Sequence, residues 1–219
     1  MGLNDKRMLY IAGGDFTDIV LYLVRILVCL GKKTIIFDHS FGHRLYPSIP
    51  HIEGIEPVEE IIDYRGVGYT FGTGEKKESR EEIREADVII KIFEINKFLP
   101  EDEPCLIISD ESRGYLELLE TMRLGERSMV IVRNYTGAIK RRLEKTAEVS
   151  CKGNVFCLPV SSDDIKNGIR AQYNDVYTFT GISERLKKLL VEITGFIFPD
   201  IDVKKIRKAY QAAEKGKNG

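Results

Sequence analysis

Residues 8–38 read MLYIAGGDFTDIVLYLVRILVCLGKKTIIFD, and this stretch decides the fold. A short apolar run, residues 8–12, ends at Gly13-Gly14, the pattern of a buried strand followed by a tight turn. Residues 18–30 are apolar nearly all round except for Arg25. A helix hydrophobic on most faces is expected between layers rather than at a surface. Gly31 stops that helix, and residues 33–37 (KTIIF) read as a second buried strand ending at Asp38. Strand, glycine turn, buried helix and strand make a βαβ unit, whose right-handed crossover implies parallel strands.

Outward from this unit the alternation continues. Residues 56–63 predict a short helix and residues 67–71 a short strand, followed by the polar stretch GTGEKKESREE, read as a solvated loop. Four more apolar runs, at 87–93, 105–109, 129–133 and 155–158, predict strands. After a Ser109-Asp110 cap, Tyr115, Leu118, Leu119 and Met122 share one helical face. Further helices are expected over 138–149, 163–172 and 182–194. Short apolar strands alternating with helices predict an α/β protein, a mostly parallel doubly wound sheet flanked by helices.

The 219 residues, 43% hydrophobic, suffice for one sizeable core. The expected organisation is one domain over residues 1–200, with a basic C-terminal helix or tail over 201–219. A net charge of -1 gives no global electrostatic reason to expect nucleic acid. The first residues do not read as a signal peptide, and the apolar run at 19–30 falls short of the roughly 20 residues of a membrane span. A cytoplasmic location with reduced thiols is therefore expected. Cys151 and Cys157, in CKGNVFC, read as part-buried thiols flanking a strand rather than zinc ligands.

Ligands of such sheets bind beyond the carboxyl ends of the strands, which makes the Gly13-Gly14 turn the first candidate site. Here the chain resembles the MinD/ParA family of P-loop ATPases, including its pilus-associated CpaE/TadZ branch. That family opens with strand, KGGxGKT, helix and GKKVLLIDxD; this chain has IAGGDFTDIV and GKKTIIFDHS at the same spacing. HIEGIEPVEEIIDY, MVIVRNY and VFCLPVSSDDIKNGIRAQYNDVYTF look like later family segments, in the same order. The resemblance implies a nucleotide-binding loop at Gly13, Gly14, Asp15, Thr17 and Asp18, with ATP or ADP as its ligand. It implies nucleotide or switch contacts at Asp38 and Asn134. It also implies a homodimer or another protein partner, and a role in placing a pilus or secretion apparatus.

Lined up on the two glycines, the family's signature lysine falls on Ala12, its P-loop lysine on Thr17 and its magnesium-binding hydroxyl on Asp18. The strand that should end in a Walker-B Asp reads ADVIIKIFE, with Lys91 or Ile92 at that place. Phosphoryl transfer relies on positioning and charge neutralisation, which those residues supply. A carboxylate about 5 Å from a phosphate costs roughly 3 kcal/mol at an effective dielectric near 20. A helix N-terminus returns only about half a positive charge. Asp15 and Thr17 therefore read as helix caps, and the chain as a pseudo-ATPase with no catalytic residues and no assigned cofactor.

Other residues carry less. His39, His43 and His51 crowd one loop but match no metal spacing, so solvated histidines are expected and no metal is assigned. Asp110 and Glu111 sit at a helix start, where acids favour the dipole. The serines at 109, 112, 161 and 162 show no nucleophile elbow. The leading reading is therefore a scaffold or localisation factor, and two other functions stand beside it. Asp38 lies about 20 residues past the glycines, as a ribose-binding acid does in a Rossmann-like dinucleotide enzyme. Lys204, Lys205, Arg207 and Lys208 flank a modest apolar stripe of Ile201, Val203, Ile206 and Tyr210, which fits peripheral membrane contact or, more simply, a frayed solvated helix.

Overall fold

β1 (Arg7–Gly13) runs through the interior of an eight-stranded sheet, with its alternate residues supplying two separate cores. A computed structural model describes residues 6–49, 61–71, 81–95, 99–122, 124–150, 154–173, 179 and 181–216. The strands are β1, β2 (Thr34–Asp38), β3 (Ile62–Tyr64), β4 (Val67–Phe71), β5 (Val88–Phe93), β6 (Cys105–Ser109), β7 (Ser128–Tyr135) and β8 (Val155–Pro159). Their order is β3-β4-β2-β5-β1-β6-β7-β8, parallel throughout except for the β3–β4 pair. The doubly wound α/β architecture is thus as expected. β1 and β2 run parallel but are not neighbours, because β5 lies between them and hydrogen-bonds to both.

α1 (Thr17–Cys29) is buried from Thr17 to Leu27, Arg25 included. Its near-continuous apolar surface finds apolar partners on all sides. It lies between the sheet and a layer made of α5 (Ser162–Tyr173), α6 (Glu184–Ile197) and α7 (Val203–Glu214). On α6, Leu186, Leu189, Leu190, Ile193 and Ile197 are fully buried at helical spacing. Each contributes on the order of 2 kcal/mol. The opposite sheet face is covered in two parts. α3 (Arg113–Thr121) and α4 (Lys140–Ser150) pack Leu116, Leu119 and Leu143 over β6 and β7. The short α2 (Glu81–Glu85) contributes Ile83 to a smaller cluster with Ile35, Phe37 and Ile89.

Several sequence expectations are corrected. The helix over 56–63 does not hold at its end: Ile62 and Asp63 belong to β3, and residues 56–60 lie outside the described residues. Arg65 and Gly66 both have positive φ (54° and 77°), the two-residue hairpin geometry that turns β3 back onto β4. α3 starts after Ser112 rather than after Ser109-Asp110, and buries Leu116 and Leu119 with Tyr115, Leu118 and Met122 half-covered. Cys157 lies within β8 rather than beside it, and Cys151 lies outside the described residues. The C-terminal helix is not frayed. α7 buries Ile206, Ala209, Tyr210 and Ala213, and Phe179 bridges the Tyr22 ring of α1 and Tyr210 edge-on. Spacing of i, i+3, i+4 and i+7 was enough for burial, although two of the four residues are alanines.

Candidate functional site

The glycine turn is pressed against β6. Gly13 has φ +127°, and a Cβ on it would collide with the Ile108 carbonyl oxygen. The Gly14 N–H donates to that same carbonyl at 2.8 Å. Glycine is therefore required at Gly13 by both backbone conformation and space.

Beyond the turn, the chain does not form the caps expected from its sequence. Phe16 occupies the N-cap position of α1 and makes no side-chain cap bond; its ring is buried beneath the Arg44 guanidinium. Thr17 is the first residue of the helix, and Asp15 projects an exposed carboxylate. The acid at the helix start is Asp18, only 2% exposed. Its Oδ1 accepts the Ile19 N–H at 2.8 Å. Arg133, from the end of β7, grips the same carboxylate with two bonds: Nη1 to Oδ1 at 2.6 Å and Nη2 to Oδ2 at 2.9 Å. Nη1 also donates to the Asp15 carbonyl at 2.6 Å. Burial disfavours charge on Arg133, but Asp18 outweighs it and holds the guanidinium above its ordinary pKa. Gly168 of α5 closes the pair from one side, where a Cβ would lie 3.4 Å from Asp18 Oδ2.

A second arginine completes the ring. Arg44 Nη1 donates to the carbonyls of Gly14 (3.1 Å) and Gly13 (3.4 Å), while Nη2 lies 3.6 Å from Glu94 Oε2. Glu94, just past β5, also accepts the Phe41 N–H at 2.8 Å. The carbonyls of Gly13, Gly14 and Asp15 thus all face guanidinium groups. A phosphate cradle needs the reverse, N–H groups turned toward the anion. Asp15, Asp18, Glu94 and Asp164 surround the two arginines, so the formal balance at this helix start is negative. The resemblance sets Ala12, Thr17 and Asp18 where the family has its lysines and hydroxyl, and the buried Asp18 carboxylate at this helix start does not fit a triphosphate. Ile92 is buried on the α1 face of the sheet and Lys91 points to the other face, over the Phe37 ring.

The remaining candidates are spread along the same strand ends. Asp38 is fully buried. Its Oδ1 accepts the Ser40 N–H and hydroxyl at 3.0 and 2.5 Å, and its Oδ2 the Leu45 N–H at 2.9 Å. Asn134 is exposed, with φ +53°, beside a register shift between Val132 and Tyr135. His39 stacks between the Phe37 and Phe93 rings, so it is not a solvated loop residue. His43 pairs through Nδ1 with the Asp38 carbonyl at 2.9 Å, and His51 lies outside the described residues. No cluster of three metal-ligating side chains occurs among the described residues. Lys204, Lys205, Arg207 and Lys208 are exposed on α7, but Ile206 and Tyr210 of the expected stripe face the core. Among the described residues, no helix is long and apolar enough to cross a membrane.

Arg133, Arg44, Glu94 and Asp164 were not singled out in the sequence. Arg133 and Glu94 had a usable signal, since each directly follows an apolar run at a carboxyl end. Arg44 and Asp164 had none, because the hydrogen bonds of their side chains reach 19 or more residues away.

The order of strands, the buried α1 and the glycine turn define a P-loop NTPase-like sheet of the MinD/ParA type. Solved structures agree with that class. A ParA family ATPase from Chlorobium tepidum TLS superposes with a TM-score of 0.52 at 15% identity, over 85% of this chain and 98% of that one. A putative plasmid partition protein from Borrelia burgdorferi B31, solved with AMPPNP bound, gives 0.53 at 10% identity, over 90% and 100%. No protein-family model matches the sequence. No curated protein matches it either.

Proposed function

We propose that this chain is a pseudo-ATPase of MinD/ParA-like fold, a scaffold or localisation factor that works through a homodimer or another protein partner. The observation that carries the reading is the buried two-bond contact between Asp18 and Arg133 across the start of α1. A triphosphate there either meets the paired Asp18 carboxylate or draws Arg133 away and leaves that carboxylate buried without its countercharge. Neither route is offset by a lysine. The plasmid partition neighbour was solved with AMPPNP, so bound nucleotide is compatible with the fold, and the reading rests on the Asp18–Arg133 contact of this chain. The dinucleotide-enzyme alternative is weakened because the Asp38 carboxylate is already engaged by Ser40 and Leu45. The membrane alternative is weakened because Ile206 and Tyr210 are buried in the protein core.

The test is light scattering and phosphate release on the full chain, with and without ATP and magnesium. The expected outcome is an unchanged oligomeric state and no hydrolysis; an ATP-dependent dimer would defeat the proposal. The setting in pilus or secretion-system assembly, implied by resemblance to the CpaE/TadZ branch, is part of the same proposal. A fluorescent fusion that forms a discrete focus at the cell envelope supports that setting, and a diffuse signal removes it.

A further inference from the structure

Residues 203–215 hold five cations, Lys204, Lys205, Arg207, Lys208 and Lys215, and one acid, Glu214, in a chain whose net charge is -1. All five cations are exposed, and none forms an ion pair among the described residues. Glu214 is engaged elsewhere, 3.7 Å from Lys187 of α6. Helical spacing sets the cations in order. α7 buries Ile206, Ala209, Tyr210 and Ala213, so at about 100° per residue Lys204, Lys208 and Lys215 stand in a row on the opposite side. Lys215 caps the helix, and its N–H still donates to the Gln211 carbonyl at 3.2 Å, which keeps it in register. The row is about 16 Å long, and Lys205 and Arg207 flank it about 80° to either side.

We propose that this row docks an acidic helical segment of a partner protein, with a carboxylate opposite each of Lys204, Lys208 and Lys215. The occupant is argued from charge complementarity and from scale. A helix laid along α7 repeats its side chains at the same spacing, so acids at matching positions meet all three lysines at once. Carboxylates border the row: Asp200 and Asp202 precede the helix, and Glu184, 88% exposed, joins Glu214 on Lys187 near its far end. A bilayer or a nucleic-acid duplex reaches past the row to those acids and to a remainder of the chain that is net negative. A segment one helix wide meets the cations alone. The row also carries no apolar or aromatic group for insertion into lipid or for stacking on bases. Tyr210 is buried, Val203 lies about 120° round the helix from the row, and the exposed Ile165 and Ile169 are on α5. This gives the chemistry of the protein partner that the scaffold reading leaves open, and rests on that reading.

Fluorescence anisotropy on the full chain, without nucleotide, is the test. The probe is a labelled alanine-rich peptide of about 16 residues with glutamate at i, i+4, i+7 and i+11, a pattern that reads the same in both directions. The control peptide has the same composition with its glutamates spread round the helix. The patterned peptide should bind at least about threefold more tightly than the control, and Lys208→Glu should raise its dissociation constant at least about tenfold. Lys204→Glu, Lys208→Glu and Lys215→Glu together should abolish binding, and the reversed chain should then take the peptide that has lysine in place of glutamate. Arg141→Glu with Lys145→Glu, exposed on α4, should leave binding unchanged. All these side chains are at the surface, and circular dichroism checks that the variants fold. Equal binding of the two peptides overturns the proposal, as does binding indifferent to Lys208→Glu or a reversed chain that ignores the lysine peptide. Tighter, Lys208-dependent binding of phosphatidylglycerol vesicles or of duplex DNA would give the row to lipid or to nucleic acid and also overturn it. ATP-dependent dimerisation would defeat the pseudo-ATPase reading without touching these outcomes.

Discussion

The starts of α1 and α6 lie close together, each beside a buried aspartate, yet they solve the same problem differently. At α6, Ser183 accepts the Leu186 N–H at 3.1 Å and is itself held by Asp164. The buried Asp164 is met there by the neutral N–H and hydroxyl of Ser183, within a conventional cap. At α1 the cap position holds Phe16, which contributes no hydrogen bond, and the buried Asp18 needs a full countercharge from Arg133. The first is a start that any helix can use. The second keeps the glycine turn of an anion site but fills the buried helix start with an internal ion pair. Helix geometry alone therefore does not make a binding site; the side chains that already occupy it decide.

The largest effect expected from this contrast concerns the ion pair. Arg133→Met leaves Asp18 buried and unpaired, and should destabilise the chain by about 3–5 kcal/mol in denaturant titrations. Adding Asp18→Leu should recover most of that loss, because an apolar pair of similar volume removes both charges. A single variant costing less than about 1 kcal/mol would mean that the pair is not what closes the α1 start. At α6 the corresponding change, Ser183→Ala, should cost about 1–2 kcal/mol in the same assay: a lost cap, plus one lost bond to a mostly buried carboxylate. If the two starts cost the same, the distinction between them collapses.

The smallest effect concerns a third start, that of α3. Glu111 accepts the Thr136 N–H and hydroxyl and the Gly137 N–H. Burial pushes its carboxyl up, but those bonds outweigh burial and hold it below its ordinary 4.5. A depressed folded value means that the contribution is present above pH 4.5 and is lost as pH falls through the lower, folded value. The protection of the Thr136 and Gly137 amides, measured against their intrinsic exchange rates, should fall locally in acid, and Glu111→Gln should give the same loss of protection at neutral pH, with little change in global stability. Unchanged exchange in that variant would remove Glu111 from the 136–137 turn.

Much of the fold was legible because the elements around β1 carry their periodicity locally. The near-continuous apolar surface of residues 18–30 announced a helix between layers, and α1 is one. Residues 62–63 were misread because Ile62 and Asp63 owe their conformation to a turn at Arg65-Gly66 and to pairing with β4. The site was legible only in part. The glycine turn could be read off the sequence; the ion pair that closes the helix start behind it could not. Asp18 and Arg133 are 115 residues apart; the place of Arg133 at the end of an apolar run marks it as a strand-end residue, but nothing local pairs it with Asp18.

The sequence by itself determined the parallel α/β sheet and the glycine turn, because each depends on residues within a few positions of one another. Tertiary structure alone decided that Phe16 rather than Asp15 sits at the cap and that Arg133 closes over Asp18. It alone decided that the stripe on α7 is buried inside the protein while the isoleucines of α5 stay exposed. Those outcomes are set by which surfaces meet when the layers pack. Burial imposes on each polar group a desolvation cost that only a partner brought from far along the chain can offset.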